Sequence, residues 1–228
     1  MTTRTATFFP QRVNLHVPNM RGIGAALGYG TEQVKIDLGA PDALDADVIL
    51  DGTTVTTAGS TTTFNVLYTG SEAQMGKYGR SLSIVCSAAN TAVIQVHGRD
   101  YLGQRMSESF TANGTTPVLG NKAFRYIDEV EWAAASTGTP TLDVGTNNKL
   151  GLPFRCKQML HEHKNDIAAA NAGTFTAGLA TATAATATNA DVRGTLLPVT
   201  VIPDGTNTFG LTAIVDLANG HGNEQYAA

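Results

Sequence analysis

The sequence predicts an all-β protein with a sandwich, jelly-roll-like core and an extended N-terminal arm. Three observations lead there. Short runs of two-residue alternation recur roughly every ten residues, and Gly, Pro, Asn and Asp cluster between them. Thr, which suits a half-exposed pleated surface, is abundant throughout.

The elements follow in chain order. Residues 1–31 mix Pro, Gly and Arg, end in RGIGAALGYG and read as an arm without a strand pattern of its own. VKIDL (34–38) places Val34, Ile36 and Leu38 on one face, and GAPDALDAD (39–47) reads as a loop or brief helix. FNVLY (64–68), SLSIVCS (81–87) and AVIQVH (92–97) alternate in the same way, and RYIDEVEW (125–132) is rich in strand formers. TLDV (141–144), LGLPFRC (150–156), LLPVTVI (196–202) and FGLTAIVDL (209–217) complete the set. Turn signals separate them: DG at 51–52, NG at 113–114, TGTP at 137–140, NN at 147–148 and PDG at 203–205. Pro198 inside LLPVTVI suits an edge position. Residues 166–190 form a low-complexity Ala/Thr segment, read as one or two weak strands joined near Asn171–Gly173, with a flexible linker as the alternative. The last strands are expected to pair back, so that 32–228 forms a single domain.

Composition narrows the function classes. Only 15% of the 228 residues are charged, and the formal net charge is −4. Ordinary soluble domains carry about 25% charged residues. No run of about 18 apolar residues is present, so no membrane span is expected. Without a strongly basic balance, nucleic acid is not an expected partner. The apolar fraction of 42% is too high for a wholly disordered chain. A subunit packed among neighbours needs less surface charge than a free monomer, and the low charge is read in that light. The N-terminus MTTRTATFFPQRV lacks the apolar stretch of a secretory signal. Cys86 and Cys156 make no disulfide framework, so free thiols and folding in a reducing cytoplasm are expected.

The motifs are near-misses. GSEAQMGKYG (70–79) has five residues between Gly70 and Gly76, and Tyr78 follows Lys77 where a phosphate loop needs Ser or Thr. A strand–loop–strand connection is the better reading. GIGAALG (22–28) follows Pro18 and Asn19 rather than a strand, so no dinucleotide cofactor is expected. On a strand His161 and His163 would share one side, but two ligands make no zinc site, and an exposed polar loop is the better reading. In HGRDY (97–101), His97 and Arg99 alternate with Asp100, and an Arg–Asp pair closing a loop is the plain reading. No Ser lies in a G-x-S-x-G elbow. Asp128, Glu129 and Glu131 lie along one strand beside Trp132, as an acidic rim or simply a solvated face. NGT (113–115) reads as a turn. No catalytic, cofactor-binding or metal-binding residue is assigned.

Two stretches carry a family resemblance. TNNKLGLPF (146–154) and DVRGTLLPVTVIPDGTNTFGLTAIVDL (191–217) resemble segments of structural proteins from tailed bacteriophages. HGRDYLGQRMSESFTANGTTPVLGNKAFRYIDEVEW (97–132) is similar to them as well, so the likeness spans roughly 95–217 and little of the first 90 residues. It implies a virion protein of the head decoration, cement or minor capsid type, without enzymatic activity or cofactor. The major capsid protein would be its partner, on the capsid exterior, after assembly in the bacterial host cytoplasm. Self-association as a dimer or trimer is expected. The arm is the expected contact, with Arg4, Phe8, Phe9, Arg12 and Arg21 as anchors, because aromatic and Arg side chains dominate interface energetics. The competing readings are a tail component (tube subunit, terminator or host-binding tip) and an enzyme on a sandwich fold, which would need paired carboxylates in a cleft.

Overall fold

The structure, a computed structural model, describes residues 31–179, 190–216, 218 and 220–222. The arm anchors Arg4, Phe8, Phe9, Arg12 and Arg21 lie outside the described residues, as does most of the Ala/Thr tract.

The described chain is nearly all β, and every strand pairing is antiparallel. β1 (Thr31–Gly39) starts at the last residue read as arm. β2 (Leu50–Thr54), β3 (Gly59–Thr61) and a single-turn helix, α1 (Glu72–Met75), follow. Then come β4 (Arg80–Cys86), β5 (Val93–Arg99), β6 (Arg105–Thr111), β7 (Val118–Leu119) and β8 (Tyr126–Trp132). β9 (Thr141–Gly151), β10 (Cys156–Lys164), β11 (Ile167–Ala168), β12 (Thr174–Ala177), β13 (Gly194–Leu197) and β14 (Phe209–Asp216) complete the order.

Three sheets result. One runs β1-β14-β10-β11, the second β12-β13-β9-β4-β7 with β2 also on β9, and the third β3-β8-β5-β6. Together they curl as a sandwich-like half-barrel. The eleven-residue β9 is the spine. Its first half contributes Leu142 and Val144 to a core shared with Leu82, Ile84, Ile94, Val96, Phe110, Phe124, Val130 and Trp132. Its far end contributes Leu150 to a second core with Ile36, Leu38, Leu196, Phe209, Leu211 and Val215. Where the two cores meet, β9 must pass beneath the 45–46 loop. A Cβ on Gly145 would run into the Asp45 carbonyl and Ala46 backbone, so only glycine fits. Arg80 occupies the same seam and is fully buried. Its guanidinium donates to the carbonyls of Asn147, Asp42 (2.9 Å) and Gln74 (3.1 Å), and burial lowers its pKa to about 10.

Most alternating runs are strands where the pattern puts them, and Leu82, Ile84 and Cys86 do share the inward face. Several readings need correction. Asn147 and Asn148, read as a turn, lie inside β9, and Asp51 and Gly52 lie inside β2. LGLPFRC is strand only at its two ends, and the HEH stretch, read as an exposed polar loop, is part of β10. FNVLY is a turn, not a strand. Asn65 Oδ1 accepts the Leu67 N–H (3.1 Å), which bends the chain, while Phe64 and Tyr68 stack edge-on at 5.5 Å over the first core. Val66 is left 92% exposed. GSEAQMGKYG contains α1, capped by Ser71 Oγ accepting from Gln74 N–H (3.3 Å), rather than a plain loop. LLPVTVI is strand only to Leu197, and β13 lies between β12 and β9 rather than at an edge. Pro198, which lacks an N–H to donate, stands just past the end of the strand.

Candidate functional site

The segments that carry the family resemblance converge. Asp100 closes the turn between β5 and β6 by accepting the N–H groups of Leu102 and Gln104 on Oδ1, both at 2.9 Å. Its Oδ2 lies 2.5 Å from Arg193 Nη2. Arg193 also donates to the His221 carbonyl (3.0 Å) and stacks over the Tyr101 ring at 4.9 Å. The Tyr101 hydroxyl donates to the Pro153 carbonyl of the LGLPF stretch. Asp191 accepts the N–H of Arg193 (2.9 Å) on one oxygen and that of Ala123 (3.0 Å) on the other. Asp100, Asp191 and Arg193 are all essentially inaccessible to solvent.

A second charged group adjoins it. Glu108 lies on the core face of β6, opposite Val96, and accepts from Asn121 N–H (2.7 Å) and Lys122 N–H (3.4 Å). Burial pushes its carboxyl up to about 8, against those hydrogen bonds and the charges of Lys122 and Lys149. Burial lowers the pKa of both lysines. Lys122 Nζ donates to the Ser107 carbonyl (2.9 Å) on the outer edge of β6, which blunts that edge against further pairing. Lys149 Nζ donates to the Gly120 carbonyl and Asn121 Oδ1, both at 2.8 Å. A third group ties the C-terminal strand. Asp216 lies 2.5 Å from Arg155 Nη1 and 3.5 Å from Lys157 Nζ.

The sequence motifs are thus partly brought together, but as fasteners. The local pair Arg99–Asp100 does not form as a side-chain ion pair, while Asp191 holds Arg193 through its backbone N–H. Arg99 instead reaches Asp128 (2.9 Å), and Asp100 pairs with Arg193. Asp128 belongs to a cleft of about 440 Å³ on the third sheet, lined also by Thr62, His97, Arg105 and Glu129. His97 Nε2 is 3.6 Å from Glu131 Oε2, so two of the three strand carboxylates have a basic neighbour on β5. Trp132 is turned to the opposite, buried face. His161 is exposed, while His163 Nε2 lies 2.8 Å from Thr212 Oγ1. Bulges between Cys156 and Gln158 and between Met159 and His161 separate Cys156 from the histidines. Among the described residues no three His, Cys, Asp or Glu side chains are placed to hold a metal. Nor is any helix among them long and apolar enough to cross a membrane. Both cysteines are buried free thiols, and burial pushes that of Cys156 up to about 12.

Comparison of the chain with protein-family models, with curated proteins and with solved structures gives no match.

Proposed function

We propose that this chain is a non-enzymatic structural protein of a tailed-bacteriophage virion, a decoration or cement protein that binds the major capsid protein lattice and stabilises the head. The observation that carries this reading is the convergence just described. The distinctive residues Asp100, Tyr101, Asp191 and Arg193 meet in a buried fastener, not in an open cleft. Residues so placed serve the rigidity of a subunit rather than turnover of a substrate.

Further features agree with an assembling subunit. β1 is an outer strand of its sheet, and residues 1–30 lead directly into it. The arm is therefore proposed to extend from an edge strand to a neighbour, with Arg4, Phe8, Phe9, Arg12 and Arg21 as anchors. Exposed Ile167 and Ile202 are candidates for contact between copies of the chain. The jelly-roll-like reading draws support from β1 pairing with β14, a long-range return of the kind that closes Greek keys.

The test is co-sedimentation with purified phage heads and tails. The full chain should saturate the head surface, and a chain lacking residues 1–21 should lose most of its bound copies. Full occupancy by the shortened chain would remove the arm from the mechanism. Binding to tails and not heads would replace the decoration role with that of a tail component.

A further inference from the structure

We propose that Lys149 and Asn121 condense to an intramolecular isopeptide bond, with Glu108 as the positioning residue. Lys149 Nζ stands 2.8 Å from Asn121 Oδ1, so the amine lies against the carboxamide it would attack. Three separate segments build the arrangement. Lys149 comes from β9, Asn121 from the connection between β7 and β8, and Glu108 from β6. Lys149 has no carboxylate within ion-pairing distance among the described residues, its two acceptors being the Gly120 carbonyl and Asn121 Oδ1. Its partial burial favours the neutral amine, which is the nucleophilic form. Glu108 fixes Asn121 through the 2.7 Å bond to its N–H, and its burial, which pushes its carboxyl up to about 8, weakens the negative charge that would hold Lys149 as ammonium. Two reactants held so close need no encounter, which removes much of the entropic barrier.

The step balances within the three residues. The Nζ lone pair attacks Asn121 Cγ, and the carbonyl π pair moves onto Oδ1. That pair returns as the Cγ–Nδ2 bond breaks. One Nζ proton passes to Nδ2, which leaves as ammonia. No oxidant, metal or co-reactant is needed. The product ties β9 of the second sheet to the connection that leads into β8 of the third, beside Glu108 and Lys122. A covalent tie there would lock two sheets of a subunit that has no disulfide among its described residues.

Intact-mass measurement of the purified full chain under denaturing conditions tests this. The expected mass is lower than the sequence mass by one ammonia. Trypsin should yield a branched product joining residues 106–122 to 126–155, since a modified Lys149 is not cleaved. Lys149→Arg and Asn121→Ala should both restore the sequence mass. Glu108→Ala should slow the reaction, and Glu108→Gln, neutral and able to accept the same N–H, should rescue it. Separate peptides 106–122 and 126–149 from wild-type protein aged at pH 7 would overturn the proposal, as would a mass deficit that persists in Lys149→Arg.

Discussion

Asp100 and Arg193 are 93 positions apart, yet they form one buried ion pair. Removing one partner of a buried pair strands the other, at a cost of about 3–5 kcal/mol. Arg193→Met should therefore lower unfolding stability by about that amount in urea titrations. Asp100→Asn combined with Arg193→Met should recover part of the loss, because no bare charge remains. Glu108 gives a pH-dependent counterpart. Its folded pKa, about 8, lies above the ordinary value of 4.5. The folded state therefore holds the proton more tightly, and this contribution is complete at low pH and lost as pH rises through about 8. Glu108→Gln should flatten the fall in stability between those two values and gain on the order of a few kcal/mol at the alkaline end. Little of this was legible in the sequence. The string HGRDY advertises its own internal charge pair, whereas the partners are chosen by strands that return from far along the chain.

Several strands were legible because a face met a core, although β6 was missed despite buried Met106 and Phe110. VKIDL and SLSIVCS became β1 and β4 because their alternate residues Ile36, Leu38, Leu82, Ile84 and Cys86 are buried. FNVLY deceived because a turn can also pack its first and fifth residues against a core, as the half-buried Phe64 and Tyr68 do. The HEHKND stretch hid a hairpin. Asn165 and Asp166 both adopt positive φ (52° and 61°) between the paired Lys164 and Ile167, as the two central residues of a type I′ turn must. Asn-Asp is a weaker signal of that turn than Asn-Gly, and the low-complexity tract begins there. Gly145 shows what a strand pattern cannot announce, since its need for glycine comes from a loop about a hundred residues earlier in the chain. Gly145→Ala should force β9 and the 45–46 loop apart and cost about 1–3 kcal/mol, read as a lowered melting temperature without loss of strand signal in far-ultraviolet circular dichroism.

Across the whole molecule, the low charge of the sequence takes on a different meaning. Nine of the thirty described Asp, Glu, Lys and Arg residues are buried, so the surface is poorer still in charge than the composition suggests. The all-β class followed from local alternation, but the division into three sheets did not, because it depends on long-range pairings that no window contains. Both cysteines packed as small apolar residues. Neither should react with a thiol reagent until the chain is unfolded, a prediction that absorbance titration of the native protein checks. The pairing of Thr31 with Asp216 carries a kinetic consequence. Strand β1 is the first described strand and its partner β14 the last, so the first sheet closes only after all the other described strands have emerged. The second and third sheets can acquire most of their pairings earlier. The nascent chain must therefore wait with an open edge, and refolding in vitro should end in a slow phase set by that one closure.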